Sequence, residues 1–338
     1  MNRDDTNFAT ALLEWYRNHG RDLPWRKNPT PYAVLVSEFM LQQTRVDTVI
    51  PYFNRFMERF PSLTDLAKAE EGEVLRHWQG LGYYSRARNL KKTAHKCLES
   101  EQGCLPFDSK KLSEMPGIGP YMEKAIRAFA FDLPAVPIDG NLMRVYSRLE
   151  ALAIYPDDPK EKKKAETYFM KRLDSPREFG QALMDLGELI CLPNGTPKCE
   201  TCPLRFQCHA HAKGEETLYP LKKTKQVRPV EHRAVLLLLD GKGNIAVRKR
   251  PSKGLLASMD EFPNVLGDQE ELQKAYPGLS LRHLSKVTHI FSHIEWKMDV
   301  YLAVGELPDF TYMPMTELKE KAALPTAFAK LLSLYSPV

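Results

Sequence analysis

Four cysteines, Cys191, Cys199, Cys202 and Cys208, lie in one short stretch of the chain with the spacing C-x7-C-x2-C-x5-C. Four thiolates this close in sequence can converge on one soft metal centre, and both zinc and an iron–sulfur cluster fit four sulfur ligands. Met1 to Asp5 lack the basic and then apolar pattern of a secretory signal, so a disulfide framework is the weaker explanation. The spacing predicts a metal or cluster site and leaves its metal open.

Two carboxylates are candidates for acid–base chemistry. Glu38 lies among apolar neighbours in segment 36–44. It is either a helix-flank residue or, if it faces a cleft, a desolvated acid that donates a proton near neutral pH. Asp139 precedes a helical pattern, where an N-cap accepts backbone N–H bonds that favour the ionised carboxylate. A neutral acid paired with an ionised aspartate is the division of roles that breaks glycosidic bonds.

Two glycines, Gly117 and Gly119, separate two helical patterns. They let the backbone turn tightly, so that free N–H groups at a helix N-terminus can bind a phosphate. A plain interhelical turn is the alternative for a G-x-G pattern alone. The basic helix that follows and the downstream Asp139 favour phosphate binding.

Composition limits the class of protein. The chain has 338 residues, of which 43% are hydrophobic and 27% charged, so we expect two domains that each bury a core. It contains no run of about 18 apolar residues, which argues against a membrane span. The net charge of +5 is mild, and basic clusters at 86–92 and 222–228 fit either a solvated face or an anionic partner.

The patterns that must position these residues change once along the chain. Residues 1–211 show helical periodicity, including a predicted N-cap at Thr30 and a helix that Pro51 should kink or restart. Residues 212–230 are polar and basic, which is typical of a linker. Residues 231–338 alternate with period two before a helical tail. The predicted fold is an all-helical domain followed by an α+β domain.

Taken together, these motifs resemble the adenine-DNA glycosylase (MutY) family of the helix-hairpin-helix base-excision superfamily. The resemblance covers nearly the whole chain. Besides the Glu38 segment and the four cysteines, the matching stretches are Leu23-Pro24-Trp25-Arg26, Leu41-Gln42-Gln43-Thr44, Gly80-Leu81-Gly82-Tyr83-Tyr84, Pro116-Gly117-Ile118-Gly119, Asp139-Gly140-Asn141, Met184-Asp185-Leu186-Gly187 and Phe291-Ser292-His293. It implies a helix-hairpin-helix glycosylase domain over 1–211, with its hairpin at about 112–141 and a cluster loop at 191–208, then the linker and a Nudix-like domain over 231–338.

The resemblance implies excision of adenine mispaired with 8-oxoguanine or guanine, after the adenine is flipped out of the duplex. Glu38 would protonate adenine N7 and Asp139 would stabilise the oxocarbenium-like sugar, with Tyr121 and Asn141 assisting. Gly117 and Gly119 would contact the DNA backbone. The implied substrate-binding residues are Trp25, Arg26, Leu41, Gln42, Gln43, Thr44, Tyr83, Gln181, Phe291, Ser292 and His293.

Three details refine this expectation. The sister family with lyase activity has a lysine where this chain has Tyr121, and because tyrosine forms no imine we expect a monofunctional enzyme. The family fills the cysteine site with a 4Fe–4S cluster, although in this chain seven residues instead of six separate Cys191 and Cys199. The Nudix-like domain would read 8-oxoguanine through 291–293, and without the glutamate-rich metal helix it should not be a pyrophosphatase.

The expected partner is double-stranded DNA with an adenine mismatch, bound by a monomer in the cytoplasm of a bacterial cell and without a membrane. Two alternatives remain open. One is a related glycosylase with another base preference, such as thymine, but thymine lacks the N7 that Glu38 would protonate. The other is a non-catalytic DNA-binding protein, against which the presence of both Glu38 and Asp139 argues.

Overall fold

The computed structural model describes residues 3–223 and 227–335, so Lys225 of the predicted basic linker lies outside the described residues. The first of its two compact units is helical, and the second contains the described β-strands. Each unit combines two separate stretches of the chain. The predicted domain ranges 1–211, 212–230 and 231–338 therefore stay a prediction. The units comprise Met1–Ala67 with Lys92–Thr224, and Lys68–Lys91 with Lys225–Val338.

Helices follow one another up to residue 213, and the described strands begin at residue 230. The α-helices are α1 (Arg3–His19), α2 (Pro24–Lys27), α3 (Pro31–Leu41), α4 (Val46–Arg59), α5 (Leu63–Lys68), α6 (Glu71–Trp78), α7 (Ser85–Ser100), α8 (Ser109–Ser113), α9 (Pro120–Phe131), α10 (Gly140–Leu149), α11 (Pro159–Met170), α12 (Pro176–Leu189), α13 (His209–Lys213), α14 (Gln269–Ala275), α15 (Met315–Lys321) and α16 (Thr326–Ala329). The strands are β1 (Val230–Leu239), β2 (Ile245–Lys249), β3 (Asp260–Glu261), β4 (Asn264–Leu266), β5 (Arg282–Ile290), β6 (Glu295–Val304) and β7 (Thr311–Met313). Short 3₁₀ turns are Cys199–Thr201, Arg205–Gln207, Glu216–Leu218 and Lys330–Leu334.

Local capping starts the two helices that carry the candidate carboxylates. The Thr30 side chain accepts a hydrogen bond from the Ala33 amide at 3.2 Å, which begins α3, and Pro31 occupies its first position. The Asp139 carboxylate accepts from the Leu142 amide at 2.8 Å and begins α10. Both predicted N-caps are confirmed, and they fix where α3, which carries Glu38, and α10 begin.

The helical core of the first unit fixes the helices that support the site. Residues 32–40 of α3 are buried throughout, so this helix is enclosed by its neighbours. Helices α1, α10, α11 and α12 meet in an apolar cluster that includes Phe8, Leu12, Val145, Phe169, Phe179, Leu183 and Leu186. Burying each side chain of this size contributes about 1.5–3 kcal/mol. The start of α10 and the face of α12 are therefore held in place.

A mixed sheet with strand order β3-β2-β1-β6-β5 forms the second unit, with β4 beside β1 and β7 beside β2. The neighbours β1 and β6 run parallel, whereas the other pairs are antiparallel. One face packs on a core with Phe262, Trp296 and Phe328, and the other face packs on a core with Leu236 and Leu272. Covering both faces makes this an α+β layered unit, as predicted.

The helices differ from the periodicity of the sequence in three places. The helix does not restart at Pro51, because α4 continues through it and buries Val49, Phe53 and Phe56. That burial offsets the roughly 3 kcal/mol that an interior proline costs. The helical periodicity of the sequence runs on across 63–78, but the structure divides this stretch into α5 and α6. The helical tail divides into α15 and α16, and α16 begins directly after Pro325. Every helix within 3–223 and 227–335 is too short or too polar to cross a bilayer.

Candidate active site

A cavity of about 630 Å³ in the first unit contains both candidate carboxylates. Helices α2, α3, α9, α10 and α12 contribute to its wall. The structure brings most residues of the predicted catalytic and adenine-binding set to this one cavity. Those that line it are Trp25, Arg26, Glu38, Leu41, Gln43, Thr44, Tyr121, Asp139, Asn141 and Gln181.

Glu38 projects from buried α3 into the cavity and is only 6% exposed. Burial raises the pKa of its carboxyl to about 7, and the negative charge of Asp139 adds to the rise. The Tyr121 hydrogen bond and the Arg26 guanidinium oppose the rise by stabilising the carboxylate. A large share of Glu38 is therefore protonated near neutral pH, as a general acid requires.

Tyr121 links the hairpin to the acid. It is the second residue of α9, directly after the Gly119–Pro120 start of that helix, and its hydroxyl hydrogen-bonds Glu38. Burial and the nearby Glu38 and Asp139 charges raise the pKa of Tyr121 well above its usual value. The phenol therefore keeps its proton and can donate it to a carboxylate.

Asp139 combines a helix cap with a place in the cavity. Hydrogen bonds from the Leu142 and Asn141 amides lower the pKa of its carboxyl, as the capping argument predicted. Burial has the larger effect, so the pKa of Asp139 is raised overall. The Arg144 guanidinium, one turn along α10, opposes this rise. The sequence predicted the two backbone bonds and missed the desolvation.

A hydrogen-bond chain holds Asn141 beside Asp139. The Asn141 amide donates to Glu188 at 2.9 Å and accepts from Arg144 Nη2 at 2.9 Å. Arg144 also donates to the backbone oxygens of Gly187 and Cys191, each at 2.7 Å. The start of α10 is thereby tied to the end of α12, where the first cysteine lies.

Arg21 and Asp185 belong to the cavity wall and its support, and neither was predicted as a site residue. The Asp185 side chain is fully buried and binds Arg26 through both oxygens, at 2.7 and 3.0 Å. Arg21 donates to the same carboxylate through its backbone amide at 2.9 Å and its Nε at 2.8 Å. These bonds hold Arg26 and lower the pKa of Asp185 against the effect of burial. The only signal in the sequence was the motif that contains Asp185.

Three predicted residues of this unit, Gln42, Gly117 and Gly119, are not among those that line the cavity. Gln42 does not line it, and its amide points toward Met122 Sδ at 3.9 Å. Gln43 lies at the rim, exposed and in the left-handed region with φ 59°. In the hairpin, Gly117 has φ 80°, and a Cβ built on Gly119 would meet nothing within 4 Å. The backbone at Gly119 is therefore open to a ligand.

Lysine chemistry has no evident place in this cavity. Lys124, one turn beyond Tyr121 on α9, forms an ion pair with Glu166 at 2.5 Å. The residues that line the cavity within the described chain include arginines and no lysine. The monofunctional activity stays a prediction.

A second cavity, of about 710 Å³, lies within the second unit. Tyr83, Phe291, Ser292 and His293 all line it, so the structure brings these four predicted residues together. Tyr83 is 46% exposed, and the Arg86 guanidinium lies 5.5 Å from the centre of its ring. Phe291 packs edge-on against buried Trp296 at 4.9 Å between ring centres, which anchors the loop.

The four cysteines line one small apolar-walled pocket in the first unit, next to α10 and α12. Burial raises the pKa of Cys202 to about 12, so its thiol stays protonated at neutral pH in the absence of a positive centre. Arg148 Nη1 lies 3.2 Å from Cys191 Sγ and can stabilise a thiolate there. This donor set fits a soft, positively charged metal group.

One set of ligand-type atoms among the described residues lies within 4.8 Å of one another, namely those of Cys199, His211 and Glu216. Glu216 and His211 also line the pocket of the four cysteines. Four sulfur ligands fit either a zinc ion or an iron–sulfur cluster.

Comparison with protein-family models gives two matches. Residues 36–174 match the HhH-GPD superfamily of base excision DNA repair proteins, and residues 234–334 match the NUDIX domain. The first range includes Glu38, Tyr121 and Asp139, and the second includes the 291–293 loop. The first match lies in the helical part of the chain, and the second lies in the part that contains the described strands.

Relatives and solved structures agree with these matches. The adenine DNA glycosylase of Rattus norvegicus is 33% identical over 98% of this chain and 78% of its own length. That of Buchnera aphidicola (strain Bp) is 34% identical over 90% of this chain and 88% of its own length. A thermostable thymine-DNA glycosylase superposes on 63% of this chain and 98% of its own, with TM-score 0.57 and 27% identity. An endonuclease III–DNA complex has TM-score 0.53 at 21% identity over 63% of this chain and 99% of its own, which supports the fold alone.

Proposed function

Because this chain belongs to the adenine DNA glycosylase family, we propose that it is a monofunctional base-excision repair enzyme that hydrolyses the N-glycosidic bond of adenine. Its substrate is adenine mispaired with 8-oxoguanine or guanine in double-stranded DNA. One observation carries the proposal: Glu38, with a pKa of about 7, shares a cavity with Tyr121 and Asp139. A cavity of about 630 Å³ is also large enough to admit a flipped purine.

In the proposed reaction, Glu38 donates its proton to adenine N7, which makes the base a better leaving group. The C1′–N9 bond then breaks, and its electron pair leaves with the adenine. The Asp139 carboxylate stabilises the positive charge that develops on the sugar, and water completes the hydrolysis. Tyr121 orients the Glu38 carboxyl, and the Arg26–Asp185 pair keeps the pocket wall fixed beside the base.

The competing base preference has weaker support. The thymine-DNA glycosylase structure covers 63% of this chain, whereas the adenine glycosylase relative from rat matches 98% of it. A thymine also offers no ring nitrogen for the Glu38 proton at the position of adenine N7. A purely DNA-binding role would give no reason for a buried acid whose pKa is raised to about 7.

A glycosylase assay separates the three possibilities. Duplexes carry adenine opposite 8-oxoguanine, adenine opposite guanine, or thymine opposite guanine, and base release is measured under single-turnover conditions. We expect release of adenine from the first two and no release of thymine. Preferential release of thymine would favour the related glycosylase, and binding without any release would favour the DNA-binding protein.

We propose that the 291–293 loop, in the cavity that Tyr83 also lines, reads the 8-oxoguanine opposite the adenine. The exposed Ser292 hydroxyl lies 3.3 Å from His293 Nδ1 and can hydrogen-bond a base edge. Gln43 and Tyr83 would fill the gap that the flipped adenine leaves, since an aromatic ring can replace lost stacking. Gln42 and Thr44, the neighbours of Gln43 in sequence, would contact the same part of the duplex. Gly117 and Gly119 would bind backbone phosphates.

Replacing Ser292 by alanine should lower the preference for 8-oxoguanine over guanine, because one direct hydrogen bond to the damaged base is lost. The expected loss is about three- to tenfold in the ratio of dissociation constants for the two mismatches. Electrophoretic mobility shift with a non-cleavable adenine analogue measures both constants. Ser285→Ala, at a partly exposed position on β5, is the matched control. An equal loss for both mismatches would argue against a reading role for Ser292.

We propose that Cys191, Cys199, Cys202 and Cys208 hold a 4Fe–4S cluster. Support comes from the convergence of four soft sulfur ligands on one pocket, a donor set that an iron–sulfur cluster takes. The cluster would supply a positive centre that ties the loop to α10 and α12, without taking part in base release. Iron and sulfide analysis of the purified protein, with its absorption spectrum, should give about four irons per chain. A stoichiometry of one zinc would contradict this assignment.

The partner and location follow from the same proposal. The enzyme would bind double-stranded DNA with an adenine mismatch as a monomer, and it would work in the cytoplasm of a bacterial cell. The second domain would serve recognition and not pyrophosphate hydrolysis. The DNA-repair class of the relatives supports the DNA partner.

A further inference from the structure

The side chain of Gln181 enters the proposed base pocket with its carbonyl already bonded. The Tyr16 hydroxyl donates to Gln181 Oε1 at 2.7 Å, between helices α1 and α12. Gln181 is 8% exposed and lines the cavity that contains Glu38. If the amide flipped, the phenolic proton would face the Gln181 NH₂ group and lose its acceptor in a partly buried place, which is unfavourable. The bond therefore selects one orientation of the amide.

Tyr16 is itself restrained. A Cβ built on Gly20 would lie 2.7 Å from both Tyr16 Cε2 and the Tyr16 backbone oxygen, closer than real side chains approach. Glycine at this position therefore allows the backbone to lie directly against the tyrosine ring. The Arg26 guanidinium lies 5.7 Å from the ring centre and is held by Asp185. The Tyr16 hydroxyl thus has little freedom to move away from Gln181.

A fixed amide presents a defined pattern of donors and acceptors. With one lone pair of Oε1 taken by Tyr16, Gln181 still offers a second lone pair beside the two Nε2 protons. Adenine presents its amino donor next to the N1 acceptor, on the side of the ring away from N7, and an amino donor beside a ring-nitrogen acceptor is the pattern that a glutamine amide pairs with. Guanine has a carbonyl oxygen where adenine has the amino group. The fixed orientation of Gln181 therefore matches adenine and opposes guanine.

We propose that Tyr16 is a positioning residue that sets the base specificity of the enzyme by fixing the orientation of the Gln181 amide. The proposal rests on the proposed adenine glycosylase function. Tyr16 acts only through Gln181 and takes no part in proton transfer to the base. Gly20 supports the same contact, because the lack of a side chain at this position leaves room for the tyrosine ring.

The test measures single-turnover release of two bases opposite 8-oxoguanine: adenine, and unsubstituted purine, which lacks the amino group. The ratio of the two rate constants, adenine over purine, reports the amide orientation, because only adenine can donate to Gln181 Oε1. Tyr16→Phe should lower this ratio about three- to tenfold, the range expected for one hydrogen bond. Gly20→Ala should lower it in the same direction. Tyr32→Phe, which removes a buried tyrosine hydroxyl that donates to Phe60 O at 2.8 Å outside the cavity, should leave the ratio unchanged.

A double-mutant cycle separates orientation from general damage to the fold. Glutamate at position 181 has two equivalent oxygens and no orientation to fix, so Tyr16→Phe should not change the ratio further in the Gln181→Glu background. An unchanged ratio in Tyr16→Phe alone would overturn the proposal, as would an equal fall in both backgrounds. If the wild-type enzyme released neither base, the proposed function would fail instead, so the two failures are distinguishable.

Discussion

Glu38→Gln is expected to lower the single-turnover rate constant for adenine release by about 10²- to 10⁴-fold, the usual contribution of a general acid. Glutamine has the shape of glutamate and can still accept from Tyr121, but it carries no acidic proton at any pH near neutrality. Affinity for duplexes with adenine opposite 8-oxoguanine should stay within a few-fold of wild type. The variant should therefore bind the mismatch and fail to release the base.

The pH dependence of base release provides a second measurement of the same group. The pKa of Glu38 is raised from 4.5 to about 7, so the acid form predominates below pH 7 and is lost above it. The rate constant should therefore be highest below pH 7 and fall about tenfold per pH unit at higher pH. Glu38→Gln should remove this fall from the residual rate.

A matched variant shows whether the effect is specific. Glu123 on α9 is as buried as Glu38, at 4% exposed, and pairs with Arg127 outside the cavity. Glu123→Gln should lower thermal stability and leave the rate constant for base release unchanged. Wild-type turnover by Glu38→Gln, or an equal loss in Glu123→Gln, would show that the proton comes from another group.

Asp139→Asn is expected to lower the rate constant for base release by about 10²- to 10³-fold, because the charge that stabilises the sugar cation is lost. Asparagine caps helices about as well as aspartate, so the bond from the Leu142 amide and the start of α10 should persist. Rapid-quench measurement of base release on 8-oxoguanine duplexes gives the rate constant, and circular dichroism gives the melting temperature.

Asp158→Asn is the control for this prediction. Asp158 caps α11 in the same manner, accepting from the Lys160 amide at 2.8 Å, but it lies outside the cavity. The two variants should therefore have similar, small effects on melting temperature and very different effects on rate. If Asp139→Asn kept more than about a tenth of the wild-type rate, stabilisation of the sugar would have to come from other residues.

Features fixed by near neighbours in sequence could be predicted. Thr30 and Asp139 cap helices because a short oxygen-bearing side chain reaches an amide three residues ahead, and both caps are present. The hairpin between β1 and β2 is local in the same sense, because the turn residues at 240–243 join the two strands directly. In each case the interaction closes within a few residues, so the sequence contains all the partners.

Features that join distant segments could not be predicted. Asp185 binds Arg26 and Arg21 across about 160 residues, and no periodicity marks that pairing. The parallel pairing of β1 with β6 is equally invisible in the local pattern. The rise in the pKa of Asp139 depends on how deeply the cavity buries it, whereas the sequence revealed only the bonds that oppose the rise. Burial depth is a property of the packed fold.

Gln43 and Tyr83, with φ of 59° and 47°, hold their backbones in the left-handed region although neither is glycine. Each such residue is strained by about 1–2 kcal/mol relative to a right-handed conformation. Both backbones hold this conformation at the expense of native-state stability. Under the proposed role of these two residues in DNA binding, little of their backbone entropy would remain to be lost when a duplex binds.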